Sequence, residues 1–71
     1  KQIDIDKRNN MNMTLLMLTV YIDNYDKVKL LLEEGANIYL HDSVGYTALD
    51  IAIETKNTKI IKLINQYDAV N

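Results

Sequence analysis

The chain has 71 residues, 48% hydrophobic and 25% charged, with no cysteine and a formal net charge of −2. That balance is globular and excludes a disordered chain. The missing thiols exclude a disulfide framework and a thiolate metal site, and the weak negative charge argues against a nucleic-acid footprint. The length allows one small domain with a marginal core. The longest apolar-rich stretch, residues 13–22, is broken by Thr14 and Thr19. It is too short to span a bilayer, so no membrane insertion is expected, and no targeting segment is recognised. A chain that starts at Lys1 reads as a fragment or a processed product.

Taken in order, the elements come twice. Shifting the sequence by 33 positions sets Thr14 on Thr47, Leu16 on Leu49, Val20 on Ile53, Asn24 on Asn57, Val28 on Ile61, Leu31 on Ile64 and Ala36 on Ala69. Upstream, Ile3 falls on Ala36 and Ile5 on Ile38. The two copies need no gap, and a fixed period of this size is the mark of a stacked repeat. The first copy opens on Asn9 and Asn12, residues suited to starting a turn and to a positive φ. Helices are expected over 15–22 and 25–34, and Gly35 ends the second of them as a left-handed C′ residue. Residues 36–41 are expected to form an extended arm.

The second copy opens on Asp42-Ser43-Val44-Gly45, a turn with an acidic start and a glycine. Thr47 precedes an apolar run with Asp50 three residues on, which predicts a capping box. Helices are expected over 48–55 and 58–66, turned by Lys56-Asn57. Neither helix pair can bury its apolar face alone. Stacking is expected to bury Leu16, Val20, Val28, Leu31 and Leu32 against Leu49, Ala52, Ile53, Ile60, Ile61 and Ile64.

These residues resemble the ankyrin-repeat family, whose repeat runs D-x-x-G-x-T-P-L-H-x-A-A, then G-H or G-N, an aliphatic helix, and G-A-D or G-A-N. The second unit reads Asp42-x-x-Gly45-x-Thr47-Ala48-Leu49-Asp50-x-Ala52, and the first ends Gly35-Ala36-Asn37. The first unit departs from the pattern with Asn12 for the turn glycine, Leu15-Leu16-Met17 for Pro-Leu-His and Thr19 for the first alanine. Asp68 stands where the second unit's closing glycine belongs. The resemblance implies an all-α solenoid of two helix-turn-helix units with extended hairpin arms. Residues 1–8 would be the tail of a preceding repeat, 9–41 the first repeat and 42–71 the second, C-terminal one.

Catalytic chemistry has little to stand on, and neither a cofactor nor a metal is expected. His41 is the single histidine and falls in the arm, where a solvent-facing or partner-contacting role suits it better than general-base work. Asp23, Asn24 and Asp26 lack the spacing and terminal glutamate of a calcium loop and read as a helix-start cluster. No helix carries a basic stripe, since Lys27 and Lys29 neighbour Glu33 and Glu34.

The resemblance implies a non-catalytic scaffold that binds another protein through its arm tips and the exposed faces of its first helices. Carried over by position, that surface is Asn10, Met11, Met13, Tyr21 and Ile22 in the first unit. In the second it is Ser43, Val44, Tyr46, Glu54 and Thr55, with Tyr39 and His41 on the connecting arm. Met13 and Ile22 fit packing beneath the arms equally well. Tyr21, Tyr39 and Tyr46 are the expected anchors, because tyrosine offers large contact area with a polar tip.

The ends differ. Asn65 replaces the leucine equivalent to Leu32, and Lys56, Lys59 and Lys62 surround the last helix, as on a solvent-facing cap. Met11, Met13, Leu15, Met17 and Leu18 cluster at the other side. That apolar face is expected to meet further repeats upstream or a second copy, which makes structural self-association the alternative function. The abundance of Asn, Lys, Ile and Tyr suggests an AT-rich genome and a cytoplasmic protein, of its source cell or of a host cell invaded by a bacterium or virus.

Overall fold

The computed structural model describes residues 4–70, the side chains to Asp68. Gln2 and Ile3 lie outside the described residues, and Ala69 is described only as part of its helix. Four helices follow one another: α1 Leu15–Tyr21, α2 Tyr25–Glu33, α3 Ala48–Glu54 and α4 Thr58–Val70. They form two antiparallel pairs stacked in parallel layers, α1 on α3 and α2 on α4. Three of the helices end within a residue of the positions expected from the sequence.

Each helix starts on a side chain that takes over an orphan backbone donor. Thr14 accepts from the Met17 N–H at 3.2 Å and Asn24 from the Lys27 N–H at 3.2 Å. Thr47 and Asp50 form the full capping box, Thr47 accepting from the Asp50 N–H while the Asp50 carboxylate accepts from the Thr47 N–H, both at 3.1 Å. Asn57 accepts from the Ile60 N–H at 3.2 Å.

Three helix ends share one device. After α2, the Gly35 N–H donates to the Leu32 carbonyl and the Ala36 N–H to the Leu31 carbonyl, with Gly35 at φ 92°. This is a Schellman closure. The same pair of bonds closes α1 at Asp23 and Asn24, and α3 at Lys56 and Asn57. Asp23 and Lys56 both take φ 58° with no glycine to ease it. Asn24 and Asn57 then serve twice, as the last closing donor of one helix and the cap of the next, which is how two residues suffice to reverse the chain.

Asp68 occupies the place of Gly35 in the second unit and accepts the Tyr39 hydroxyl at 2.5 Å. No left-handed break follows, and α4 continues to Val70 rather than ending at 66. The 36–41 arm is also less extended than expected. Residues 38–39 turn, with the Asn37 side chain accepting the Tyr39 N–H at 2.8 Å, before His41 bridges to Thr47 as an antiparallel pair.

One core runs through both layers. It holds Leu16, Met17, Val20, Val28, Leu31 and Leu32 from the first unit and Ala48, Ile51, Ala52, Ile60, Leu63 and Ile64 from the second, with Met13 and Ile38 beneath the arms. The buried Thr19 hydroxyl donates to the Leu16 carbonyl at 2.8 Å, and no buried side-chain polar atom among the described residues lacks a partner. Three expected core residues stand differently. Ile53 is 52% exposed, and Leu49 and Ile61 are half-buried. Their counterparts Val20, Leu16 and Val28 face the second unit, whereas these three face outward from it. Met17 is likewise fully buried rather than part of an open N-terminal face, because it shares the inner side of α1 with Leu16 and Val20.

The left-handed Lys56 gives a direct test. A non-glycine residue there is strained by about 1–2 kcal/mol, while glycine loses about 0.5–1 kcal/mol in extra unfolded-chain entropy. Lys56→Gly is therefore expected to stabilise the fold by up to about 1.5 kcal/mol, read as a higher urea midpoint at unchanged slope.

Candidate interaction surface

The arm tips are built by side chains that fold the backbone back on itself. Asn9 accepts from the N–H groups of Met11 and Met13, both at 2.9 Å, and Asn12 takes φ 60° where the second unit has Gly45 at φ 105°. Asp42 does more, accepting from Val44 at 3.0 Å and from Gly45 and Tyr46 at 2.9 Å. Asparagine thus reproduces both the acid and the glycine of the second tip, since it bonds its local backbone and tolerates the left-handed region.

The two tips are tied together. The Ser43 N–H donates to the Met11 carbonyl at 3.0 Å, and the Arg8 guanidinium to the His41 carbonyl at 3.4 Å. Further back, the Asn37 N–H donates to Asp6 at 2.9 Å and the Asn57 amide to Asp23. These cross-links join closely corresponding places in successive units and tie the two tips to each other.

Of the residues expected at a surface, Asn10, Met11, Ser43, Val44 and Tyr46 lie exposed along the two adjoining tips. Met11 is 60% and Val44 73% exposed. Tyr21 and Ile22 at the end of α1, and Glu54 and Thr55 at the end of α3, form a second exposed row on the two stacked first helices. Met13 is 8% exposed and packs into the core beneath its tip, so it presents little surface. Ile22 is fully outside that core. His41 is exposed at the base of the second tip.

Tyr39 is 58% exposed, more than Tyr21 or Tyr46, but its side chain reaches toward α4. Its hydroxyl meets Asp68, and its ring lines a cavity of about 510 Å³ with Asp6, Leu32, Ile38 and Tyr67. Sequence spacing could not separate it from Tyr46, because the turn at 38–39 redirects it toward the end of α4.

Other candidate chemistry dissolves into structure. Asn24 is a helix cap, Asp23 accepts from Asn57, and Asp26 sits in the first turn of α2. Among the described residues no group of three or more His, Cys, Asp or Glu side chains is placed to hold a metal ion. No helix among them is long and apolar enough to cross a membrane.

The stacked helix pairs and side-chain-closed tips meet a corresponding pattern among known proteins. The family model for ankyrin repeats, in three copies, matches residues 1–71. The chain belongs to the ankyrin-repeat family. An alpha-latrotoxin of Latrodectus hasselti is 36% identical over 90% of this chain and 5% of its own length. An ankyrin repeat protein of Acanthamoeba polyphaga mimivirus is 35% identical over the whole chain and 44% of its own length. The ankyrin repeat and SAM domain-containing protein 6 of Mus musculus is 34% identical over 90% of the chain and 8% of its own length. The chain therefore spans less than half of each of these relatives. Ankyrin repeats are generally protein–protein interaction modules and generally non-catalytic.

The second tip carries a pH signature. The Tyr46 N–H, with those of Gly45 and Val44 and the nearby His41, holds the Asp42 carboxyl below its ordinary value of 3.8, although burial opposes this. A lowered folded-state value means that the contribution is complete above 3.8 and is lost as pH falls through the lowered value. Asp42→Asn, which copies Asn9, is expected to keep the fold at pH 7. It should also flatten the acid limb of the stability profile measured by urea unfolding between pH 7 and pH 2.

Proposed function

We propose that the chain captures a partner protein through the joined arm tips and the outer ends of α1 and α3, without catalysis, in the cytoplasm of its source cell or of a host cell. The observation that carries this reading is the alignment of exposed Met11, Val44, Tyr21, Ile22 and Tyr46 on a backbone locked by the Asn9 and Asp42 turns. Large side chains on a rigid support lose little entropy on binding, which favours affinity. Tyr21 and Tyr46 are the anchors of this surface. Glu54 and Thr55 supply a polar rim, and the exposed Asn10, Ser43 and His41 supply hydrogen-bonding groups at the tips.

A photo-reactive side chain placed at Val44 is expected to trap a protein that the same group placed at Lys62 does not. With that protein in hand, Tyr21→Ala and Tyr46→Ala should each raise Kd about 30-fold or more, the scale of a hot spot, at unchanged melting temperature. Tyr39→Ala should leave Kd unchanged. Equal trapping from Lys62, or unaltered binding by both tyrosine variants, would overturn the assignment.

A further inference from the structure

The carboxylates of this chain are unevenly placed. Asp4, Asp6, Glu33, Glu34 and Asp68, five of its ten acidic residues, gather at the edge where the second helix of each unit ends. Asp6 accepts the Asn37 N–H there, Asp4 and Glu34 line one groove, and Asp68 sits in the last turn of α4. A helix C-terminus carries partial negative charge and favours cations, so carboxylates at this end oppose the dipole. Neither α2 nor α4 has a basic residue in its last turn. Among the described residues no lysine or arginine forms an ion pair with any of the five, Lys7 in the same groove included. A local rule broken without compensation inside the chain marks a place kept for something outside it.

The same edge holds a formed recess. The cavity of about 510 Å³ has Asp6 on its wall, the buried Leu32 and Ile38 as apolar lining, and the rings of Tyr39 and Tyr67. Its walls are held by the backbone and by each other. The Asn37 N–H donates to Asp6 at 2.9 Å and the Tyr39 N–H to Asn37 at 2.8 Å. The Tyr39 hydroxyl donates to Asp68 at 2.5 Å, which brings a second carboxylate beside the cavity. The recess draws on the segment before the first unit, the arm between the units and α4 of the second. It therefore lies along the side of the stack, across the units, and not on an end face.

These features select one kind of ligand. Carboxylates beside helix C-termini repel phosphate, which disfavours nucleic acid and anionic lipid. Aromatic faces attract a cation, and the Leu32 and Ile38 lining suits an aliphatic stem. Arginine meets every demand, because its planar guanidinium stacks on a ring and forks onto a carboxylate. The flanking acids, Asp4 and Glu34 to one side and Asp68 to the other, match further basic residues on the same ligand chain.

We infer that this edge binds an arginine-rich segment of a partner protein, with one guanidinium held in the cavity by Asp6 and the rings of Tyr39 and Tyr67. The site is separate from the tip surface proposed above and does not rest on it.

Fluorescence anisotropy of the 71-residue chain with a labelled peptide of alternating glycine and arginine tests it. Saturable binding is expected. The citrulline version, uncharged and of the same shape, should not bind. The lysine version should bind about 10-fold more weakly or less, because an ammonium neither stacks nor forks as a guanidinium does. Free arginine amide should compete only at far higher concentration, which separates a partner's segment from a small cation. Tyr39→Leu and Asp6→Asn should each raise Kd about 10-fold or more, with circular dichroism checking the fold. Should either unfold, Asp68→Asn supplies a second carboxylate variant on the same edge. Asp26→Asn removes the same charge from the other end of α2, and Tyr46→Ala removes a ring from the tip; both should leave Kd unchanged. Absence of saturable binding, equal affinity for the lysine peptide, equal competition by arginine amide, or an equal loss from Asp26→Asn would each overturn the inference.

Discussion

The side chains that fill the core of this chain belong to two layers, and neither layer closes over its own. Leu16, Met17 and Val20 of α1 and Val28 and Leu32 of α2 are buried because a second helix pair lies over them, and Ala48, Ile51, Ile60 and Leu63 are buried because the first lies over those. The helices are 7 to 13 residues long, too short to be stable alone in water. Their existence therefore depends on the stacking contact, and so does the placement of everything they carry.

That dependence explains why so much of the polar sequence is spent on corners. A layer two helices deep has to reverse direction within two residues and then cross to the next layer. Asn24 and Asn57 close one helix while starting another, and Asn9 and Asp42 gather two or three backbone N–H groups at each tip. These bonds hold without help from a large core, which a chain of this size does not have. The same corners give the candidate surface its rigidity: the tips that present Met11 and Val44 are fixed from behind by the residues that make the fold possible.

Most of this was legible in the residues. Thr14, Thr47 and Asp50 announced the helix starts, Gly35 announced the end of α2, and Asn9 and Asn12 stood in for an acid and a glycine at the first tip. Less visible was that Asp23 and Lys56 adopt the left-handed corner, since neither is a residue type that signals it as glycine does. The turn at 38–39 was also hidden, because it depends on the Asn37 side chain folding back on the Tyr39 N–H rather than on any pattern of apolar residues.

What the sequence by itself determined was the period, the helices and the chemistry of the turns, because these follow from local bonding that each residue type carries with it. What only the tertiary structure decided was which of two equivalent residues is inside. Val20 and Ile53, Leu18 and Ile51, and Leu30 and Leu63 match in register and differ in burial. A periodic pattern treats every copy alike, but the described stack places a neighbouring unit on only one side of each helix pair. Its apolar residues are therefore sorted by which side has a neighbour.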